Sequence, residues 1–288
     1  MRFQLLQQVL KGATPWTCDR VVVPLDGSDL ASLALPVAEG LAKAFAAELQ
    51  CITVDPDQEA SMVLYGPPGS VGPGEPQPRE IEVISADDVA GAIVERARVE
   101  GSLLCMSSHG RGVVAEAVLG SVAADVVRRL SAPAVLVGPN FEPESWRGVR
   151  RIVASVDGSP LSEEILPVVT SWARSLDVRL DLVQVLSPDV PAWEAATPGD
   201  ILESNYLHRV ANTLDEAGLD PQWDVLHGDD VADAISDYAD QVPGTVVALT
   251  THGRTALSRV AMGSVAARLT KTCRSPLLVV RPAELPES

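Results

Sequence analysis

The sequence has 288 residues, of which 46% are hydrophobic and 21% are charged, a balance typical of folded globular proteins rather than of disordered chains. This length predicts two domains, each large enough to bury a core of its own. The net charge of −17 repels phosphate backbones and anionic lipids, so nucleic acid and membrane surfaces are excluded as general partners. No apolar run reaches the roughly 20 residues that a membrane span requires.

The N-terminal segment and the cysteines give few functional signals. Gln and Lys interrupt the apolar stretch in residues 1–17 and no small-residue cleavage site follows, which favours a helical extension packed on the first domain over a secretory signal. The four cysteines are scattered, with no C-x-x-C pair and no neighbouring His: Cys18, Cys51, Cys105 and Cys273. We therefore expect buried free thiols, a reducing cytoplasmic location and no metal site.

One sequence pattern occurs twice in the chain. The block that begins at Arg20 returns at Arg151, an offset of 131 residues, and the block that begins at Ser107 returns at Thr250, an offset of 143. A third block, from Glu82, recurs between them. Repeats of 20–50 residues would indicate a solenoid, so this longer period predicts a tandem duplication of a complete domain. The predicted domains cover residues 18–138 and 149–282, joined by a linker at 139–148.

In chain order, each copy alternates short apolar strands with helices. The first-copy strands are predicted at Val21–Leu25, Leu49–Val54, Ile81–Ile84, Leu103–Ser107 and Ala134–Val137. The second-copy strands are predicted at Ile152–Val156, Leu180–Leu186, Trp223–Leu226, Val246–Thr250 and Leu277–Val280. Continuously apolar strands between helices predict an α/β fold, with two tandem open five-stranded parallel sheets that carry helices on both faces. An acidic pair, Asp87–Asp88 or Asp229–Asp230, opens one helix in each copy and suits its dipole.

The two copies differ between their second and third strands. The second copy has room for a helix at about 200–217. The first copy has residues 55–79 instead, in which nine of the thirteen residues from Gly66 to Pro78 are Gly or Pro. That composition does not support a helix, so the segment is predicted to be a long mobile loop, either functional or disordered.

In an open parallel sheet, ligands bind outside the carboxyl ends of the strands. Asp26 and Asp157 follow the first strand of each copy, where a carboxylate could bind sugar hydroxyls or an amine, or could cap the next helix. After the fourth strand comes a Gly-x9-Gly-Ser-Val pattern in each copy. Its second Gly and its Ser could present backbone N–H groups and a hydroxyl to a phosphate at a helix N-terminus. Alternatively, the Gly could serve the turn and the Ser could cap the helix.

Several catalytic signatures are missing from the sequence. His109 and His252 have no second ligand at metal-binding spacing, which favours a structural imidazole over a metal ligand. Ser121 and Ser264 lack the G-x-S-x-G setting of a hydrolase nucleophile. Neither a Walker A sequence nor a G-x-G-x-x-G follows a strand.

The Asp-Gly-Ser turn and the Gly-x9-Gly-Ser-Val loop, each present twice, resemble the universal stress protein family. The resemblance covers nearly the whole chain and implies two five-stranded α/β domains of the kind that often bind ATP. Members of this family commonly pair through their last strands, so it also implies that Ala134–Val137 and Leu277–Val280 pair within one chain as an internal pseudo-dimer.

The resemblance further implies which residues bind the nucleotide. In the first copy they are Asp26, Val54, Ser107, Gly110, Arg111, Gly120, Ser121 and Val122. In the second copy they are Asp157, Val185, Thr250, Gly253, Arg254, Gly263, Ser264 and Val265. Ser107 and Thr250 stand where the family pattern has its first Gly. Because the first copy also lacks the intervening helix, the second domain is preferred if only one site is functional.

These features favour a cytoplasmic protein that binds ATP or another adenine nucleotide such as cyclic AMP, with Mg²⁺ as an optional companion of ATP. The expected role is a stress-response sensor or regulator rather than a catalyst. Two alternatives remain open: a nucleotide-free scaffold that acts through protein partners, and a slow ATP hydrolase. A homodimer of the whole chain is also left open.

Overall fold

Strands and helices alternate through both halves of the chain in the computed structural model, which describes residues 16–57, 61–65, 79–110, 119–186, 199–252 and 262–282. The first half contains β1 (Arg20–Pro24), α1 (Asp29–Ser32), α2 (Ala34–Phe45), β2 (Glu48–Val54), β3 (Ser61–Tyr65), β4 (Arg79–Ile84), α3 (Val89–Ala97), β5 (Ser102–Ser107), α4 (Ser121–Arg129) and β6 (Ala134–Val137). The second half contains β7 (Arg151–Ser155), α5 (Pro160–Glu163), α6 (Leu166–Leu176), β8 (Arg179–Leu186), α7 (Gly199–Glu216), β9 (Gln222–His227), α8 (Val231–Ala239), β10 (Thr245–Thr250), α9 (Ser264–Thr272) and β11 (Leu277–Val280). The predicted alternation and the second-copy helix are therefore confirmed.

All eleven described strands lie in one sheet, in the order β3-β4-β2-β1-β5-β6-β11-β10-β7-β8-β9. Strands within each half pair in parallel, apart from β3. At the centre β6 pairs antiparallel with β11, with Val135 opposite Leu278. The α/β fold and the pairing through the last strands are confirmed. The expectation of two separate sheets is corrected, because this central ladder joins them into one.

Strand β3 corrects the prediction that residues 55–79 form a loop throughout. Residues 61–65 pair antiparallel with β4, with Val63 opposite Ile81. The apolar sequence SMVLY has high β propensity, and β4 offers it an open edge. The Gly and Pro residues that motivated the prediction begin only at Gly66, and residues 66–78 lie outside those that the structure describes.

Each face of the sheet carries one hydrophobic core, and each core draws on both halves of the chain. Because side chains alternate across a strand, Val21 packs on one face and Val22 on the other. The first face is covered by α2, α6 and α7, and its core includes Leu41 and Trp172. The second face is covered by α3, α4, α8 and α9, and its core includes Leu269. The two domains thus share their cores across the central ladder.

The connection between the halves is packed against the rest of the molecule. Phe141 and Trp146 are buried, with ring centroids 6.0 Å apart, on either side of a 3-10 turn at Pro143–Ser145. Residues 1–15 of the predicted N-terminal helix lie outside the described residues. Trp16 follows them and stacks at 5.8 Å on Trp172 of the second half, while contacting Phe45 of the first.

All four cysteines are buried free thiols, as the sequence predicts. Burial raises the pKa of each thiol, to about 11 for Cys18, so the reactive thiolate is disfavoured. Within the described part of the chain, no helix has the length and apolar character needed to span a membrane.

Candidate functional site

A cavity of about 250 Å³ opens at the carboxyl ends of β1 and β5. These neighbouring strands mark the point where the strand order of the first half reverses, which is where open α/β sheets bind ligands. Seven of the eight residues predicted for the first copy line the cavity: Asp26, Val54, Ser107, Gly110, Gly120, Ser121 and Val122. The eighth, Arg111, lies outside the described residues.

The turn after β1 holds the Asp26 carboxylate in a fixed orientation. Its Oδ1 accepts hydrogen bonds from the backbone N–H (2.9 Å) and the hydroxyl (2.6 Å) of Ser28. Gly27 supplies the left-handed backbone, with φ of +80°, that this turn requires. The cap of α1 is Ser28, whose Oγ accepts from the N–H of Ala31. The alternative that Asp26 itself caps the helix is therefore wrong.

The second oxygen of Asp26 faces the loop after β5. A Cβ atom built on Gly110 would lie 2.5 Å from Asp26 Oδ2, so a larger residue there would displace the carboxylate, which lies directly over this loop. The structure thus brings the two predicted motifs together on the cavity wall. In this arrangement the carboxylate can accept hydrogen bonds from ligand hydroxyls.

Helix α4 presents its N-terminus to the cavity without a side-chain cap. Gly120 is the N-cap, with φ of −60° and ψ of 151°, and among the described residues no side-chain cap hydrogen bond is present. Ser121 is the first helical residue, so the alternative that it caps α4 is wrong. Because the first amides of a helix have no partner within it, these N–H groups and the helix dipole suit a phosphate.

A hydrogen-bonded loop joins the end of β5 to that helix. The N–H of Gly120 donates to the carbonyl of Ser108 at 2.9 Å, and the N–H of His109 donates to Ser107 Oγ at 3.3 Å. His109 is buried, with its Nδ1 2.9 Å from Ser108 Oγ. These contacts support the predicted structural role of the imidazole, although the residue also lines the cavity.

The sequence reasoning missed the apolar wall of this cavity. Ala31, Val89, Ile93 and Met106 line it and were not predicted. The sequence did contain a signal for this wall, because Val89 and Ile93 are four residues apart in the predicted helix and so share one helix face. Met106 directly precedes Ser107 on β5. Apolar side chains of this kind cover the faces of a flat ring.

Charged residues connect α3 and α4 beside the cavity. Asp88 caps α3 by accepting from the N–H of Gly91 at 3.0 Å, and it forms an ion pair with Arg129 of α4. The backbone hydrogen bond from Gly91, followed by the bond from Arg129, lowers the pKa of the Asp88 carboxyl. The predicted acidic opening of this helix is confirmed. Among described residues, no three His, Cys, Asp or Glu side chains group as a metal site.

The second half repeats this arrangement around a smaller cavity of about 210 Å³. Of the residues predicted for the second copy, its wall contains Asp157, Thr250, Gly263, Ser264 and Val265. Val185 does not line it, and Gly253 and Arg254 lie outside the described residues. Gly263 is the N-cap of α9, again with no side-chain cap.

One difference between the cavities lies next to the aspartate. Ser162 lines the second cavity where Ala31 lines the first, and its Oγ accepts from the N–H of Asp157 at 3.2 Å. At this position the first cavity presents a methyl group and the second a hydroxyl. The preference for the second domain stays a prediction.

The sequence model of the universal stress protein family matches residues 17–138 and 148–281. The fold and the duplicated site define a tandem α/β protein with two clefts at the carboxyl ends of its strands. The chain belongs to the universal stress protein family.

Known proteins agree with this assignment. A universal stress protein of Mycobacterium tuberculosis is 26% identical over 194 residues, which is 63% of this chain and 62% of that protein. The chain thus spans about six-tenths of the length of the curated relatives it matches first.

Two solved structures share the fold over nearly the whole chain. A universal stress protein from Archaeoglobus fulgidus has a TM-score of 0.61 at 13% identity, covering 92% of this chain and 99% of its own. A protein of unknown function from Pseudomonas aeruginosa has a TM-score of 0.60 at 16% identity, covering 96% of this chain and 95% of its own.

Proposed function

We propose that this chain binds an adenine nucleotide, with ATP as the principal candidate, and that it acts by binding rather than by catalysis. The observation that carries the proposal is the lining of the first cavity, which combines three binding features. These are an apolar surface for the base, the Asp26 carboxylate for ribose hydroxyls and the uncapped N-terminus of α4 for phosphate. A nucleoside phosphate presents one group for each of these three features: a flat base, ribose hydroxyls and a phosphate.

The net charge of −17 disfavours anions in general, so the binding of a phosphate depends on these local backbone dipoles. The proposed ligands are therefore those whose phosphate can reach the N-terminus of α4. A role as a stress sensor or regulator in the cytoplasm follows from the family resemblance and remains part of the proposal. Mg²⁺ would enter with ATP.

The first experiment identifies the ligand. The purified protein is denatured, and any released nucleotide is identified by absorbance and mass. Calorimetry then compares ATP, ADP, AMP and cyclic AMP. Lack of co-purified nucleotide, together with no binding heat for any of the four at millimolar concentration, overturns the proposal and favours the nucleotide-free scaffold.

The second experiment locates the ligand with the substitution Gly120→Val. A Cβ at Gly120 would lie 3.4 Å from the Ser108 carbonyl oxygen, an ordinary contact, so the fold should tolerate the change while the valine methyls obstruct the N-terminus of α4. We expect calorimetry to show loss of binding in the first cavity, with unchanged helical content by circular dichroism.

Gly263→Val is the matched variant for the second cavity. A Cβ there would lie 3.3 Å from the Thr251 carbonyl oxygen, tighter than an ordinary contact, so unchanged helical content by circular dichroism is required of this variant as well. Each substitution should remove the binding of its own cavity alone. Unchanged stoichiometry and affinity in both variants would show that neither helix N-terminus contacts the nucleotide.

A further inference from the structure

The C-terminal end of α9, the helix whose N-terminus faces the second cavity, lies against the first domain. The last carbonyls of a helix have no partner within it, and here they meet donors from the other half of the chain. Asn140 Nδ2 donates to the carbonyls of Lys271 and Thr272, each at 3.2 Å. The Thr270 carbonyl oxygen lies 3.5 Å from Ser108 Oγ.

Gly138 brings these groups close together. A Cβ built on this buried glycine would lie 2.5 Å from the Thr270 carbonyl oxygen. The chain leaving β6 therefore packs directly against the end of α9. The position of the helix end is fixed by contact with the first domain as well as by its hydrogen bonds.

The opposite end of α9 carries the candidate phosphate site. The helix has nine residues, Ser264–Thr272, and at 1.5 Å per residue it is about 13 Å long. A helix this short moves as a rigid body, so a shift of its C-terminal end also displaces Ser264 in the second cavity. Binding at a helix N-terminus is sensitive to such a shift, because its hydrogen bonds depend on distance and angle.

At the position matching Asn140, the sequence of the second half has no amide side chain. By the offset of 143 residues, Asn140 corresponds to Ala283, and Gly138 corresponds to Arg281. An alanine side chain has no hydrogen-bond donor. The first half thus donates a side-chain amide to the helix end of the second half, whereas the second half has an alanine at the matching position.

We propose that Asn140 is a positioning residue for the second cavity: from the first domain it holds α9, and so sets the affinity of the second-domain site for nucleotide phosphate. The inference rests on the proposed function, since it concerns the same ligand. Asn140 itself is exposed and lines neither described cavity. Asn140 therefore affects nucleotide binding indirectly, by positioning α9.

The test measures ATP binding at each cavity separately. In the Gly120→Val background, where the second cavity alone binds, Asn140→Ala should raise the Kd for ATP by about three- to tenfold. Asn140→Gln retains the amide and should recover most of the affinity. In the Gly263→Val background, where the first cavity alone binds, Asn140→Ala should change the Kd by less than twofold, because Ser108 of that cavity meets α9 only through a long 3.5 Å contact and keeps its 2.9 Å contact with His109 Nδ1.

Ser145→Ala is the matched control, because Ser145 Oγ donates to the Glu142 carbonyl at 2.8 Å in the same connection without contacting α9. It should leave both affinities unchanged. Equal weakening of both cavities by Asn140→Ala, or no weakening of the second, overturns the inference. ATP binding confined to the first cavity also overturns it, while the proposed function stands. Failure of the unmodified chain to bind any adenine nucleotide overturns the proposed function instead.

Discussion

At the scale of single residues, the second domain contains a buried charged network. Asp181 is fully buried on β8 and accepts from Arg151, Arg179 and the hydroxyl of Tyr238. Arg151 is 3% exposed, and its remaining N–H groups donate to Thr245 Oγ1 and to the carbonyls of Tyr238 and Ala239. A buried pair of this kind is costly to break, because removal of one partner leaves the other charge unpaired.

We predict that Asp181→Ala lowers the free energy of unfolding by about 3–5 kcal/mol, since Arg151 would keep its charge without a carboxylate. For a chain of this size, that corresponds to a fall in Tm of roughly 6–20 °C. Differential scanning calorimetry measures it. The matched control is Gln50→Ala, at the same position of the first copy, where Gln50 only donates to Glu82 at 2.8 Å. A similar loss in both variants would contradict a special role for the charged network.

At the scale of elements, β3 shows how an edge strand can be hidden beside a Gly/Pro-rich segment. Side-chain pattern alone identifies a five-residue strand poorly, because its stability depends on pairing with β4. In the second half, a helix, α7, takes the place of β3 and connects β8 to β9. Among the described strands, β9 pairs only with β8. The two outer edges of the sheet therefore differ.

We predict that residues 66–78 are dispensable for folding and that β3 is not. Replacement of 66–78 by a short Gly/Ser linker should shift Tm by less than about 4 °C, because loop closure changes by only about 1 kcal/mol. A second variant keeps this linker and also replaces residues 61–65 by Gly and Ser, so that the connection between the parallel strands β2 and β4 keeps its length. It should lower Tm further, because the edge of β4 loses its partner. Thermal unfolding followed by circular dichroism compares the two. A larger drop for the first variant than for the second would contradict this prediction.

The sequence allowed every described strand except β3, the duplication and seven residues of the first cavity to be predicted, because each depends on local pattern or on an internal repeat. The ends of β6 and β11 are as predicted, since apolar runs and flanking prolines define them. The sequence left open whether the N-termini of α4 and α9 carry a side-chain cap. Whether Ser121 or Gly120 is the cap depends on one residue of backbone register, which tertiary contacts determine.

At the scale of the whole molecule, the central ladder makes the two halves one structural unit. Each face of the sheet has a core with residues from both domains, and all four residues of β11 are buried. Neither domain can therefore be separated without exposing an apolar edge and part of both cores. Exposed edges of this kind favour association with another strand.

We predict that the fragment 149–288 forms a dimer or aggregates, because its β11 edge would lack β6. Dimerisation through two copies of β11 would reproduce the antiparallel ladder as a symmetric contact. Size-exclusion chromatography with light scattering gives the mass, with the full chain run in parallel. A stable soluble monomer of the fragment would contradict the idea that this ladder is needed to cover the edge.

The covalent connection across the β6–β11 ladder also determines how the two cavities can diverge. In a two-fold homodimer every substitution appears in both subunits, whereas in this chain the Ala31 and Ser162 positions change independently. Pairing within one polypeptide does not dissociate on dilution, because the two halves remain at a high effective concentration. Every copy of the protein therefore carries one cavity of each kind, in a fixed one-to-one ratio at any cellular abundance.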